Sequence, residues 1–544
     1  MIFMQKVLHI SLLILIFSCG EKVDLLVHNA KIYTVNETFD EATAFVVKDG
    51  IFVEVGGEEI KNKYNPKSVV DAHGLTIIPG LIDAHCHFLQ YGLESQQINL
   101  RGTKSFNEVL KKVKKFVSEN NPKIVYGRYW DQNDWKVKEF PNKKELDILF
   151  PDIPVVLERV DGHAYLVNQK TLDISGINSS TKVSGGTVVL ENGKPTGILI
   201  DSPMNLVKKS LPNPSLEDKI KALMIAEEKS FEYGLTTIDE AGLSKDNILL
   251  IDSLHKSNTL KMRVYAMISN DKDDVNYFLN RGVLKTDKLN VRSVKVYADG
   301  ALGSRGALLK SPYSDKVDHM GKFITSYESM DSLAKIIALT NFQMNTHAIG
   351  DDANHSILKI YNKVLDNIDD PRWRIEHSQI ISSDDFQMFN SKIIPSVQPT
   401  HATSDMYWAE ERLGHKRIKE GGYAYKKLLD WSGVLALGTD FPVEKINPFH
   451  TFYAAVARKD LAGFPYGGFQ SENSLSRYEA LMGMTAWAAY SNFEENEKGS
   501  IESGKMADFV ILDRDIMKVE EKQIPTTKVV ATILGGNVVY NNRL

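Results

Sequence analysis

Two histidines separated by a single residue end an apolar run in the segment IIPGLIDAHCHFLQYG. They are His85 and His87, with Cys86 between them. In a β-strand, residues two apart point to the same face, so both imidazole rings would project together. Neutral imidazoles are good ligands for zinc, iron and nickel. An ordinary polar pair at a strand end would show the same spacing, so the two histidines alone do not establish a metal site.

Further side chains that can bind a metal follow in apolar, strand-like runs. They are Lys295 in VKVYADG, His347 in NTHAIGD, His377 in RIEHSQ and Asp440 in LGTDFPV. A lysine inside an apolar strand is costly unless it is paired or modified, and Asp299 or Glu240 could pair with it. Asp440 could equally cap the next helix. The order of all six residues along the chain favours a metal centre.

The elements that must position these residues alternate between apolar strands and amphipathic helices. This alternation over residues 77–499 predicts parallel βα units and a (β/α)₈ TIM-type barrel, whose chemistry lies at the C-terminal ends of the strands. The segment is longer than a minimal barrel, so we expect an insertion at about 95–200. Both ends of the chain are β-rich, and 24–76 with 500–544 are predicted to form one small β-sandwich. The predicted fold class is α/β.

Charge and composition narrow the possible partners. The 544 residues include 65 Lys and Arg against 70 Asp and Glu, a net charge of −5. This balance offers no basic surface for nucleic acid. We therefore expect a small-molecule substrate. A homodimer is the default expectation for a soluble oligomer.

The N-terminus reads as a separate targeting segment. Residues 1–19 contain Lys6, an apolar stretch too short to span a bilayer, and the sequence IFSC. This pattern resembles a bacterial lipoprotein signal and predicts an exported protein, in the periplasm or cell envelope, anchored by a lipid at Cys19. A plain signal peptide cut nearby or a buried helix remain alternatives. If Cys19 is lipidated, no disulfide can form within the chain, because Cys86 is the only other cysteine.

A set of motifs carries a resemblance to a known family. The chain resembles the amidohydrolase superfamily, and within it the amidohydrolase family 3 branch of YtcJ-like metal-dependent hydrolases, which includes N-substituted formamide deformylase. The resemblance extends from about residue 24 to 544. It rests on the motifs PGLIDAHCHF, RVDGHAYLVN, PTGILID, VKVYADGALGSRGALL, NTHAIGDDAN, RIEHSQ, QPTHATSD, LGTDFPV and KGSIESGKMADFVILD.

The resemblance implies a centre for one or two divalent metals, with zinc expected and iron, manganese or nickel as alternatives. Its implied ligands are His85 and His87 from barrel strand 1, Lys295 from strand 4, His347 and His377 from strands 5 and 6, and Asp440 from strand 8. In a two-metal centre Lys295 would carry a CO₂-derived carbamate that bridges the metals. In a one-metal centre Lys295 would be unmodified and His377 would contact the water or the oxyanion. Cys86 is expected to face away from the metal and pack.

The resemblance also implies an activity, namely hydrolysis of an amide, formamide or cyclic amide C–N bond by metal-activated water. Asp440 would be the general base and then the general acid. His163 and Arg305 match recurrent family positions and are predicted to bind substrate; a loop hydrogen bond and a surface salt bridge are their structural alternatives. A metal hydrolase acting on another bond type is one rival interpretation. An inactive exported binding lipoprotein is another, and the six filled ligand positions disfavour it.

Overall fold

The structure is a computed structural model that describes residues 21–160, 162–183 and 186–542. The predicted signal segment, 1–19 with Cys19, lies outside the described residues. Phe88–Glu227 forms one compact unit, and the parts of the chain before and after it form another. Within the described residues, no helix is both long and apolar enough to cross a membrane.

Eight strands of the larger unit form one parallel sheet that curves into a barrel. They are hydrogen-bonded in sequence order, from strand 1 to strand 8. Barrel strands 1 to 8 are Leu81–Cys86, Leu235–Leu243, Arg263–Ser269, Leu289–Tyr297, Gln343–Ala348, Trp373–His377, Ile393–Val397 and Ala436–Leu437. Just beyond strand 8, the Asp440 N–H donates to the His85 carbonyl (2.8 Å) and the His87 N–H donates to the Phe441 carbonyl (2.8 Å). These bonds bring the last strand against the first, and the predicted parallel barrel is confirmed.

The barrel strands are buried on both faces, as parallel strands covered by helices must be. Ser244, Asp271 and Ser326 cap helices after strands 2, 3 and 4 by accepting N–H groups of the first turn. The helices after strands 2 to 5 are Lys245–Lys256, Lys272–Arg281, Tyr327–Ile337 and Asp351–Val364. A 3₁₀ helix, Ser383–Met388, follows strand 6. The helices after strands 7 and 8 are Pro399–Asp405, Ala409–Leu413, His415–Gly421, Tyr425–Ser432, Pro448–Ala457, Arg477–Gly483 and Ala486–Ser491.

Both ends of the chain build the additional β structure of the larger unit. One sheet has the strand order Ile51–Gly56, Ala44–Lys48, Glu21–His28 and Tyr64–Asp71. The other has the order Asn537–Asn541, Val529–Leu534, Phe509–Leu512, Thr76–Pro79, Lys31–Tyr33 and Glu41–Ala42. Phe45 and Phe52 from the first sheet pack with Phe509 from the second in a shared apolar core. The fold thus joins the two ends of the chain through one core.

Residues Phe88–Glu227 form a unit with its own sheet and cores, and the predicted insertion at about 95–200 lies within it. The strand order is Gly186–Glu191, Lys194–Asp201, Ala164–Val167, Val155–Arg159, Val125–Trp130 and Ile98–Asn99. The helices are Phe88–Ser95, Phe106–Asn120, Lys144–Leu149, Gln169–Ile174, Met204–Ser210 and the first part of Leu216–Glu232. The predicted hairpin forms, with Asn192 and Gly193 at φ values of 51° and 71° in its turn.

Candidate metal centre

The C-terminal ends of barrel strands 1 and 8 are held together by one buried carboxylate and one glycine. Asp83 accepts hydrogen bonds from the Thr439 N–H (2.9 Å), the Thr439 hydroxyl (2.7 Å) and the His85 N–H (3.2 Å). At Gly438 an added Cβ would lie 2.5 Å from the His85 nitrogen, so only glycine permits this approach. The contact delivers Asp440 to the face from which the first two histidines project.

His85, His87 and Asp440 form the first group of possible ligands. Oδ1 of Asp440 lies 3.2 Å from Nε2 of His87 and 3.8 Å from Nε2 of His85. Nδ1 of His85 lies 2.5 Å from Oε2 of Glu376, which also accepts from Arg374 (3.2 Å). Because Glu376 occupies Nδ1, Nε2 is the ring nitrogen of His85 that faces Asp440 and Lys295.

His377, His401 and Asp440 form a second group. Nδ1 of His377 lies 2.7 Å from Oε1 of Gln398, leaving Nε2 as the free ring nitrogen. His401 lies in the helix after strand 7, with Nε2 3.3 Å from Oδ2 of Asp440 and Nδ1 3.3 Å from Oε1 of Glu444. His401 lies in the QPTHATSD motif, but it is not among the ligands predicted from the sequence.

Lys295 and His347 complete the set that the sequence predicted. Lys295 is buried on strand 4, with Nζ 3.2 Å from Nε2 of His85. The rings of His347 and His377 are 4.5 Å apart. Nε2 of His347 lies 3.7 Å from Oδ1 of Asp299, too far for a hydrogen bond. All six predicted ligands therefore converge on the C-terminal end of the barrel.

Two members of this set have an unusual backbone conformation. His377 and Asp440 have φ values of 73° and 61°, in the left-handed region that residues other than glycine seldom adopt. Such conformations cost about 1–3 kcal/mol each and concentrate at functional sites. Here they occur where strands 6 and 8 give way to their loops, the positions from which the two side chains meet.

The protonation states of the buried side chains suit metal binding. Burial, aided by the nearby Lys295 charge, lowers the pKa of His85 to about 4 and that of His347 to about 3. Burial also lowers the pKa of His377. Burial opposes ionisation of Asp440, but the hydrogen bond from His401 and the nearby imidazoles of His87 and His85 hold its pKa well below the ordinary value. The site therefore combines neutral imidazoles at His85, His347 and His377 with an ionised carboxylate, a combination that suits a divalent cation. The carboxylates of Asp440 and Glu444 instead raise the pKa of His401, so a cation that binds this ring would displace a proton from it.

Two buried atoms of the cluster lack hydrogen bonds within the described part of the chain, which bears on whether a cation fits there. Oδ1 of Asp440 and Nε2 of His347 are buried, yet neither forms a hydrogen bond with any described residue. Buried polar atoms are normally satisfied, so unsatisfied ones call for an explanation such as a bound ion. Imidazole nitrogens and carboxylate oxygens are the ligands that zinc and its neighbouring divalent metals take. The residues present fit such an ion.

The two predicted substrate-binding residues each have a carboxylate partner. His163 is in the Phe88–Glu227 unit, exposed, with Nδ1 2.8 Å from Oδ1 of Asp201. Arg305 is in the loop after strand 4 and makes a two-point ion pair with Asp315, at 3.1 and 2.7 Å. The His163 contact is a hydrogen bond and the Arg305 contact is a salt bridge, the two roles given above as alternatives to substrate binding.

Comparison with known proteins points in the same direction as the geometry. A model described as "Amidohydrolase family" matches residues 68–540. The chain is 32% identical to Protein LONG AFTER FAR-RED 3 of Arabidopsis thaliana, over 96% of this chain and 92% of that protein. It is 28% identical to the putative amidohydrolase YtcJ of Bacillus subtilis, over 94% and 98% of the two chains. It is 24% identical to the N-substituted formamide deformylase of Arthrobacter pascens, over 95% and 98%.

Among solved structures, the chain is similar to an uncharacterized metal-dependent hydrolase from Pyrococcus furiosus. The TM-score is 0.78 at 26% sequence identity, covering 91% of this chain and all of that one. The similarity thus covers most of the chain.

Proposed function

Because the chain belongs to the amidohydrolase family, we propose that it hydrolyses a carbon–nitrogen bond of a small amide, formamide or cyclic amide. The observation that carries the proposal is the convergence of buried histidines on Asp440, whose Oδ1 has no hydrogen bond among the described residues. The 24% identity to an N-substituted formamide deformylase supports the choice of bond. Fold alone does not fix the reaction, so the bond type rests on this relative.

The residues that would hold the metal are the predicted six, with zinc the expected ion. When bound, the cation supplies Lewis acidity, polarising a carbonyl oxygen and lowering the pKa of water. Glu376 and Gln398 keep the His85 and His377 rings oriented, with Nε2 turned toward the site. These hydrogen bonds fix the tautomer and orientation of each ring before a metal binds.

Asp440 is the residue that would move the proton. Its low pKa keeps the carboxylate ionised, and Oδ1 is the oxygen that faces the strand 1 histidines. Asp440 accepts a proton from the attacking water and transfers it to the leaving nitrogen, acting first as base and then as acid. The leaving group departs as a neutral amine rather than as an amide anion.

Lys295 would carry a carbamate if two metals are bound. Burial lowers the pKa of its ammonium to about 8, which raises the share of neutral amine at physiological pH. The neutral amine can add to CO₂ and lose a proton, which gives a carbamate anion. Burial of this anion would be favourable because it would lie between two cations. If one metal is bound, Lys295 stays unmodified beside His85.

A substrate panel tests the proposal. Zinc- or manganese-loaded protein is assayed on N-substituted formamides, N-acyl amines and cyclic amides, with carboxyl esters and phosphotriesters as comparison classes. We expect release of amine from at least one C–N class and its loss in Asp440→Asn. Hydrolysis confined to esters or phosphotriesters would contradict the bond assignment. No turnover of any class by metal-loaded protein would favour a binding protein.

A further inference from the structure

His401 shares one feature with His85 and His377: Nδ1 of each ring contacts a side-chain oxygen. In His85, Nδ1 contacts a carboxylate oxygen of Glu376 at 2.5 Å, and in His377 it contacts the amide oxygen of Gln398 at 2.7 Å. In His401, Nδ1 contacts a carboxylate oxygen of Glu444 at 3.3 Å. Metal-binding histidines characteristically donate their second ring N–H to such an acceptor, which fixes the tautomer and aims the free nitrogen at the metal.

The partner of His401 is itself held in place. The Ser404 hydroxyl donates to Oε1 of Glu444 at 2.6 Å, the same oxygen that faces His401. Glu444 is thereby oriented from the helix that carries His401. The His401 side chain is 11% exposed, so solvent provides little alternative bonding for it.

The second ring nitrogen of His401 faces the Asp440 oxygen that the first ligand group does not approach. Nε2 of His401 is 3.3 Å from Oδ2 of Asp440, whereas His87 approaches Oδ1 at 3.2 Å. The two oxygens of one carboxylate thus face two different sets of imidazoles. The His377 ring lies 6.0 Å from the His401 ring, and one nitrogen of each ring lies within 4.8 Å of the other and of an Asp440 oxygen.

We propose that His401 is a metal ligand, binding a divalent cation together with His377 and Oδ2 of Asp440. Oδ1 of Asp440 would stay on the side of His85 and His87. His401 is a seventh ligand position beyond the six that the sequence predicted. The inference rests on the proposed metal-dependent function and extends its ligand set.

The direct test is titration of metal-free protein with Co²⁺, whose visible spectrum reports the ligands around the ion. Bound Co²⁺ per chain is measured in parallel by plasma emission. Wild type should bind two Co²⁺ per chain in two spectral steps. His401→Gln should bind one, with the second step lost or its affinity reduced more than about tenfold, the minimum expected when even an indirect contact is removed.

Two further variants separate ligand loss from general damage. Glu444→Gln should still bind two Co²⁺, with the second affinity about 10–100-fold weaker. His401 remains in this variant, but an amide replaces the carboxylate that orients its ring. His355→Gln is the matched control: His355 also contacts a carboxylate through Nδ1, Asp385 at 2.8 Å, but belongs to neither ligand group. It should leave both steps unchanged. Thermal unfolding of each variant establishes that it is folded.

The outcomes distinguish the two proposals. If wild type binds Co²⁺ but folded His401→Gln retains its stoichiometry, affinity and spectrum, His401 is only a hydrogen-bond partner of Asp440 and the inference is overturned alone. If His401→Gln does not fold, an unchanged second affinity in Glu444→Gln overturns it. If wild type binds no Co²⁺ at all, the proposed metal-dependent function fails together with the inference.

Discussion

Arg263 and Asp440 are buried charged residues at opposite ends of the same barrel. Arg263 begins strand 3 and makes a two-point pair with Asp508, at 2.6 and 2.9 Å, while its remaining Nη1 donates to the Asp287 carbonyl. The Gly535 N–H also donates to Asp508. Asp440, beyond the end of strand 8, keeps one oxygen without a hydrogen bond among the described residues. The first site is complete with protein atoms alone, whereas the second leaves an oxygen available to a cation.

We therefore expect substitution of Asp440 to lower activity and substitution in the Arg263–Asp508 pair to lower stability. Asp440→Asn should lower kcat by about 10²–10⁴-fold, because the amide cannot accept the proton from water. Its unfolding midpoint in urea should stay near the wild-type value. Steady-state kinetics and circular dichroism measure the two quantities. Asp508→Asn is the control, with the opposite outcome: reduced stability and unchanged kcat. Retained activity in Asp440→Asn would remove Asp440 from proton transfer.

Breaking the pair at the other end should cost stability instead. Arg263→Ala leaves the Asp508 carboxylate buried without its partner, a loss of about 3–5 kcal/mol in the free energy of unfolding. Urea denaturation followed by circular dichroism measures it, and kcat of the protein that remains folded should not change. The double variant Arg263→Met with Asp508→Leu should recover most of the loss, since it removes both charges. A fall in kcat without a fall in stability would invalidate the contrast.

A smaller effect is expected from Gln398, which supports a ligand without being one. Gln398→Ala removes the acceptor of His377 Nδ1, so the ring loses its fixed tautomer and metal affinity should fall about 10–100-fold. Competition with a chromophoric chelator measures the affinity. Gln379→Ala is the matched control, because Gln379 is also buried nearby but bonds Tyr423 and Asp405. Equal losses in both variants would show a general loosening rather than a specific support.

The smallest effect is expected at Arg305. Its guanidinium is engaged by Asp315 at the surface, and exposed ion pairs contribute little. Arg305→Ala should therefore change kcat/KM less than about fivefold. Initial-rate measurements on the best substrate of the panel provide the comparison. A large increase in KM alone would instead support the substrate-binding role that the family resemblance implies.

Local periodicity predicted much of the barrel and part of the site. The two-residue spacing of His85 and His87 placed both rings on one face because strand geometry is regular. The apolar runs that contain Lys295, His347 and His377 matched strands 4 to 6. In each case the signal is the local pattern of apolar and polar side chains along one strand.

The remaining features depend on residues far apart in the chain. His401 was missed because it lies inside the Pro399–Asp405 helix rather than at a strand end, and its partner Glu444 is 43 positions later. The polar run QPTHATSD directly after a buried strand was the one local signal for it. The approach of Asp440 likewise depends on Gly438 fitting against His85, a contact that no local pattern reports.

The central claim is that the unsatisfied cluster at the end of the barrel is a metal centre. Metal content per chain tests it most directly, by plasma emission on protein purified without chelators and with bicarbonate present. The account predicts two divalent cations per chain in wild type and reduced content in His85→Ala. A content near zero that added zinc or manganese does not restore would contradict it.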